Sequence, residues 1–292
     1  MRVAVAASIR PFADRPVREF VADLAEAIRR IGHEVEEISF PCVSRSTAPS
    51  TRQSLAIRLT EISHAGDLLI TFGSPCHLLR HPHKVIWYHD PWGNSASTVT
   101  PAELKAFGHA RRVVAASSAD AASLVRRGRI ATEVLYPSPL TVGDAHGRDS
   151  GEYVVVLDAD SEALASAALD ATRSRLRLER AWGTSTERRN ALLADACAVL
   201  DLSDQGGLGL STIAAFRSAK PVVTVTDAGI ATELVHDGDN GRVVHRTVPE
   251  IARAIDELSS DRARATAMGV RGLQYVADLV PELEMLVAQL IG

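Results

Sequence analysis

The chain has 292 residues, 46% of them apolar and 23% charged, with a formal net charge of −4. That balance fits a soluble globular protein of one or two domains and argues against non-specific nucleic-acid binding. Three scattered cysteines (Cys42, Cys76, Cys197) form neither a disulfide framework nor a CxxC motif. No apolar run reaches the ~18 residues of a membrane span, and the first residues read as a strand rather than a signal peptide. A cytoplasmic protein with no integral membrane segment is expected. Aromatics make up only 4% of residues, so Ala, Val, Leu and Ile must fill the core.

Arg2–Ala7 (RVAVAA) is an apolar run of the parallel-strand kind. A helix follows over Val17–Ile31, with Phe20, Val21, Leu24, Ala25 and Ile28 at helical spacing, and Gly32 ends it before a strand at His33-Glu34-Val35. Pro41–Arg52 is a Ser/Thr/Pro-rich loop. The spacing predicts a helix over Gln53–His64 and strands over Asp67–Phe72 and Lys84–Tyr88. Between those strands lie Cys76, His77, His81 and His83. A zinc site can be drawn from them, but Pro82 and the irregular spacing match no ligand pattern, so a histidine-bearing loop is the plainer expectation and no metal is assigned. His89-Asp90 ends the strand Lys84–Tyr88, where open α/β sheets place ligands; a histidine that merely caps the strand is the alternative. A helix over Pro101–Ala110, a strand over Arg112–Ala116, a helix over Ala119–Arg127 capped by Ser118 and a strand over Thr132–Leu135 complete a first domain, residues 1–136. Residues 137–151, rich in proline, glycine and charge, read as a linker.

The second domain, residues 152–292, opens with a strand over Tyr153–Leu157 that runs into Asp158-Ala159-Asp160-Ser161-Glu162, a helix start with acid at its N-terminus. Arg173, Arg175, Arg177 and Arg180 include a spacing of two and read as a strand with a charged face. Then come a strand (Ala198–Leu202), the turn Gly206-Gly207-Leu208-Gly209, a helix (Leu210–Ser218), a buried strand (Pro221–Thr226) and another helix start at Gly229. Glycines between strand and helix bring backbone close to a ligand and aim helix N–H groups at an anion. A tight turn without a ligand is the alternative. The first strand lacks GxGxxG, and no P-loop or GxSxG is present. Ser203, Ser211 and Thr212 have no activating base beside them in sequence and read as turn and cap residues.

The order Ala-Asp, strand, Gly-Leu-Gly-Leu, helix, Lys-Pro-Val-Val, Thr-Asp-Ala-Gly, Glu-Leu-Val, Asp-Gly-Asp-Asn-Gly resembles the C-terminal half of family-four glycosyltransferases of the GT-B fold. PEIARAIDELSSDRARATAMGVRG is similar to the helices that follow there, and Gly-His-Glu-Val and Val-Leu-Tyr-Pro match the first domain. The resemblance implies an α/β, GT-B-like protein: two Rossmann-like α/β/α domains facing a cleft, the second shortened, with C-terminal helices (Leu273–Ile291) closing it. It implies retaining transfer of a sugar from a nucleotide-diphosphate donor to a small-molecule, lipid or glycan acceptor, without a metal or other cofactor. His89, with Asp90, would contact the sugar. Gly206, Gly207, Leu208, Gly209, Leu210, Ser211, Thr226, Asp227, Gly229 and Glu233 would hold the nucleotide. Trp87, Tyr88 and Trp92 are core or an acceptor wall.

The chain departs from the family at its charged positions. Arg15 and Pro16 stand where two glycines approach the donor. The acidic run from Asp158 stands where Arg and Lys neutralise the diphosphate. Gly206 and Ala214 stand where two glutamates bracket Gly-Phe-Gly-Leu. Arg10 and Arg15 are candidate replacement phosphate contacts. The runner-up reading is therefore a catalytically inactive glycosyltransferase-like protein that binds or scaffolds beside an active partner. Homo- or hetero-oligomers are both open.

Overall fold

A computed structural model describes residues 1–9, 15–41, 51–90, 99–139, 151–159, 161–203 and 207–292, apart from the side chains of Arg15, Pro16 and Thr186. The chain divides into two units, Met1–Leu140 with Glu282–Gly292, and Thr141–Pro281.

The first unit is a six-stranded parallel sheet ordered β2-β1-β3-β4-β5-β6. Its strands are β1 (Arg2–Ile9), β2 (Glu34–Pro41), β3 (Leu68–Phe72), β4 (Lys84–Tyr88), β5 (Arg112–Ala115) and β6 (Glu133–Val134). Every residue of β3 and β4 is buried, as expected of strands covered on both faces. Four helices connect them: α1 (Arg15–Arg30), α2 (Thr51–Leu59), α3 (Pro101–Gly108) and α4 (Ser118–Gly128), with a 3-10 turn at Cys76–Leu78. Trp87 points into the core, edge-on to Phe20 and Phe72, and its indole N–H donates to the Leu135 carbonyl at 2.8 Å.

The second unit is a five-stranded parallel sheet ordered β11-β10-β9-β7-β8. Its strands are β7 (Tyr153–Val156), β8 (Arg177–Arg180), β9 (Ala198–Asp201), β10 (Val222–Val225) and β11 (Gly241–Val244). Its helices are α5 (Glu162–Asp170), α6 (Thr186–Asp195), α7 (Leu210–Arg217), α8 (Ala231–Leu234), α9 (Val248–Ser260) and α10 (Arg262–Leu279). The core is the aliphatic set that the low aromatic content requires, among it Val154, Val156, Leu200, Val223, Val225, Ile251 and Ile255.

Several boundaries differ from those the sequence predicts. α4 starts at Ser118, and Ser117, not Ser118, is its cap, accepting the Asp120 amide at 3.0 Å. α2 stops at Leu59 rather than near His64. β8 keeps only Arg177 and Arg180 of the arginine run. The helix begun at Gly229 is a single turn, α8, because Val235 is already extended. The last helix, α11 (Leu283–Ile291), packs with the first unit rather than the second. Arg30 pairs with Glu284 at 3.3 Å, and Arg111 donates to the terminal Gly292 carbonyl at 2.6 Å. Among the described residues no helix is long and apolar enough to cross a membrane.

Close helix packing in the second unit rests on two glycines of α10. A Cβ at Gly269 would overlap the Ala219 carbonyl, and one at Gly272 would overlap the Phe216 ring at the end of α7. Backbone cannot yield as a flexible side chain can. Gly269→Ala should therefore lower the unfolding free energy by about 1–3 kcal/mol, the usual cost of overpacking, despite alanine's better helix propensity. Urea denaturation checks this; an unchanged midpoint would refute the packing argument.

Candidate functional site

In a parallel sheet the strands deliver their following loops to one edge, and in the second unit that edge is organised by Asp201, the last residue of β9. Its carboxylate is buried and accepts from Ser203 Oγ at 2.8 Å and Thr212 Oγ1 at 2.7 Å. Its carbonyl accepts from Thr224 Oγ1 at 2.8 Å. A buried carboxylate left short of donors would be costly, so these hydroxyls fix the first turn of α7 against the strand end. Gly209 precedes α7 with φ of 66°, a left-handed conformation that favours glycine, and a Cβ there would lie 3.0 Å from Ile230. No side chain caps α7. Its leading amides therefore lack the usual side-chain acceptor, the condition under which a helix start receives an anion.

The neighbouring loop is tied in through main chain. The Ile230 amide donates to the Gly207 carbonyl at 3.2 Å, and the Thr226 amide to the Val244 carbonyl at 2.9 Å. Leu208 and Gly209 are buried, Gly207, Leu210, Ser211, Asp227, Gly229 and Glu233 half-buried, and Thr226 exposed. Thus the structure brings the second-unit candidates from Gly207 to Glu233 onto one edge. Because α8 is one turn long, however, the Gly229 end contributes little helix dipole.

Arg246 is a member of this edge that sequence reasoning missed. Its Nε meets both Asp227 oxygens at 2.9 and 3.0 Å, Nη1 donates to Leu202 O at 2.7 Å and Nη2 to Ser203 O at 2.5 Å. One guanidinium thus clamps the ends of β9 and β10. Asp158 is engaged locally, accepting from Ser161 N at 2.7 Å and Ser161 Oγ at 2.8 Å, while Ser161 Oγ takes the Leu202 amide at 2.9 Å. The acid at this strand end is a turn-forming residue, as its position before a helix implies.

The first unit holds His89 and Asp90 just after β4. The His89 ring is 4% exposed, stacks on Phe72 and donates from Nδ1 to Asp120 at 3.1 Å. Asp120 also accepts from the Asp90 amide at 3.0 Å and Ser117 Oγ at 3.0 Å. A carboxylate on Nδ1 sets the tautomer, leaving the lone pair on Nε2. Asp120 carries no sequence signal beyond acid in the first turn of α4. Arg10, Gly206, Trp92, Asp160 and the Arg15 side chain lie outside the described residues.

Beside Asp90 is a cavity of about 410 Å³ lined by Ser74, His77, Tyr88, Asp90, Glu103 and Arg127, with α2 along one wall. Arg127 donates to Tyr88 Oη at 2.7 Å and lies 3.8 Å from Asp90 and 3.6 Å from Glu103. Tyr88 is therefore a cavity residue, whereas Trp87 is core. His77 is buried, stacked on Phe107, with Nε2 3.5 Å from Glu103, too long for a good hydrogen bond. Burial holds its pKa below the usual value, against the pull of Glu103. For Glu103, burial acts to raise the pKa, but the nearby His77 ring and hydrogen bonds from Thr100 outweigh it and bring it down to about 2. The two Thr100 bonds, both 2.8 Å, are the firm ones. The other imagined zinc ligands point to separate partners: Cys76 to Ser8, and His81 to the carbonyls of His83 and Gly66. Among the described residues no group of three or more His, Cys, Asp or Glu is placed to hold a metal.

Comparison with known proteins finds a family match within the second unit. Residues 180–274 match the family described as glycosyl transferases group 1, a span that includes every second-unit candidate from Gly207 to Glu233. Solved structures align over nearly the whole chain. HepE from Anabaena, in complex with UDP-glucose, matches with a TM-score of 0.66 at 15% identity, covering 99% of both chains. Sucrose-phosphate synthase from Thermosynechococcus elongatus gives 0.66 at 16%, covering 99% of this chain and 98% of that one. The chain has the GT-B fold. A glycosyltransferase from Rickettsia africae gives 0.60 at 12%, with 99% and 97% covered. No curated protein sequence matches the GT-B chain.

Two predictions follow from the charged groups. His77 and Glu103 both have folded pKa values below their unfolded ones, so both contribute stability that is complete at high pH. As pH falls, His77 withdraws its share from about 6.5 downward, and Glu103 from about 4.5 toward 2. Glu103→Gln should flatten the acid limb by about 2 kcal/mol between pH 5 and 2, read from urea midpoints against pH. Parallel curves for variant and parent would refute it. Arg246→Ala should cost about 2 kcal/mol of stability, because it strands Asp227 and two carbonyls; a loss below measurement error would mean the clamp is ornamental.

Proposed function

We propose that the protein transfers a sugar, with retention, from a nucleotide-diphosphate donor to a small-molecule, lipid or glycan acceptor. The observation that carries this reading is the coincidence of the group 1 glycosyl transferase match with the edge built around Asp201, Gly209 and Arg246. That HepE, a protein of the same fold, is seen with UDP-glucose supports a nucleotide sugar as the donor.

In this reading the diphosphate sits at the start of α7, where main-chain amides and the helix dipole supply the positive end that the family's Arg and Lys supply elsewhere. Leu208, Gly209, Leu210 and Ser211 shape that contact, and Arg246 keeps the Thr226–Gly229 loop beside it. The C1–phosphate bond breaks, the acceptor oxygen bonds to C1 on the same face, and its proton passes to the departing phosphate. His89, aligned by Asp120, contacts the sugar, and the cavity beside Asp90 receives the acceptor. The donor is a substrate, and no separate cofactor enters the scheme. Cys76 and Cys197 are buried thiols outside any disulfide, which suits a reducing cytoplasm.

Titration of UDP, GDP and their sugars against melting temperature tests the donor site. A ligand at a hundred times its Kd should add about 2.7 kcal/mol of apparent stability. His89→Ala should retain that shift and lose slow donor hydrolysis by about 100-fold. If no nucleotide moves the melting temperature, the transferase reading fails and a scaffold takes its place.

A further inference from the structure

The first unit contains a second and larger cavity, about 770 Å³, that the transfer reaction does not use. It lies toward the opposite end of β4 from His89. Lys84 opens that strand and His89 follows it, so the two positions are about 16 Å apart at ~3.3 Å per residue. Four cations line the cavity, Arg58, Arg80, Lys84 and Lys105, against one carboxylate, Glu61. Arg58, Arg80 and Lys105 are exposed, and among the described residues none of the three side chains has an ion pair. Glu61 spends its carboxylate on Ser63, and its influence on Arg80 acts through space.

Lys84 is the unusual member. It is 3% exposed, and its ammonium donates to the carbonyls of His77 at 2.8 Å and Leu79 at 2.9 Å. An ammonium has three donors, and two are used. No carboxylate among the described residues pairs with it. A buried charge without a counter-charge is expensive, and removal from water alone lowers its pKa to about 8. Apart from His81 and His109 the remainder of the lining is apolar, and Leu55 and Leu59 are 51% and 68% exposed.

We propose that this cavity binds a phosphate monoester carrying a short apolar body, with the phosphate held by Lys84, Arg80 and Lys105 and the apolar part laid against Leu55 and Leu59. A phosphomonoester carries close to two negative charges near neutral pH, which suits a surplus of cations better than a single carboxylate does. Arginine adds the planar fork that recognises its oxygens. The phosphate could belong to a soluble ester or to a lipid headgroup. Arg58 and Leu55 also line the cavity beside Asp90, whereas Arg80, Lys84 and Lys105 line only this one, so the inference rests on those three and not on the transfer reaction.

The test uses the full chain at low salt, where exposed cations are least screened. Hexyl phosphate and inorganic phosphate are titrated by calorimetry, and vesicles with and without phosphatidic acid, a lipid phosphomonoester, are sedimented with the protein. Hexyl phosphate should bind more tightly than inorganic phosphate. The exposed double variant Arg80→Glu/Lys105→Glu should weaken it at least about tenfold while leaving the UDP-induced melting shift intact. Hexyl phosphate binding without sedimentation identifies a soluble ester; sedimentation only with phosphatidic acid, abolished in the double variant, identifies a lipid headgroup. Absence of binding in every arm, or equal hexyl phosphate binding by the double variant, overturns the proposal. Lys84→Met serves as a second variant. If it folds with the parent's circular dichroism and still binds hexyl phosphate at full strength, the buried ammonium has no part in the site.

Discussion

The buried carboxylate of Asp201 is the interaction on which the second unit's functional edge depends. Sitting at the end of an all-buried strand, it has no water to solvate it and must collect donors from whatever follows in the chain. Thr212 and Ser203 supply them, and in doing so dock the first turn of α7 at the strand end. The dock brings Gly209 against Ile230, which only a residue without a Cβ can reach comfortably. Polar satisfaction, not hydrophobic packing, sets where the α7 amides sit.

The proposed anion site at this edge has main-chain amides where the resembled family has cations. A helix start offers the equivalent of about half a positive charge, worth about 0.3–1 kcal/mol at a surface and more where partly buried. A charge-assisted hydrogen bond is worth about 1.5–3 kcal/mol. Main-chain amides therefore match charged side chains only in part, so the proposed transfer would run slowly and with weak nucleotide affinity. Arg246 is the one nearby guanidinium described, and its donors are committed to Asp227, Leu202 and Ser203. It lends rigidity to the edge rather than free charge.

The first unit handles charge differently. Around Arg127 it gathers Tyr88, Asp90 and Glu103 at separations of 2.7 to 3.8 Å, and burial holds the pKa of His77 down beside them. At the far end of β4 it places cations with hardly any acid. Mixed charge thus gathers near one end of a short, fully buried strand and basic charge near the other, the two cavities meeting at Leu55, Arg58, Leu78 and Ala102.

Strand and helix periodicity, buried apolar runs and the glycine turn at Gly206–Gly209 are local properties, so the amino-acid order alone was enough to place most of the elements and to show the parallel α/β architecture. The same order marked His89 and the Gly207–Glu233 loops, because those residues sit at strand ends that the pattern locates. Other features needed the folded chain. Asp120 meets His89 across 31 residues, and Arg246 reaches Leu202 across 44; no spacing rule links positions that far apart. The attachment of α11 to the first unit is likewise a long-range docking of an apolar face that could have packed elsewhere. Asp158 resolves the same way, its acid drawn into a turn by the amide and hydroxyl of Ser161, whose oxygen in turn accepts the Leu202 amide. Local order chose the parts, while their partners were settled by which buried polar groups the tertiary fold could bring within reach of one another.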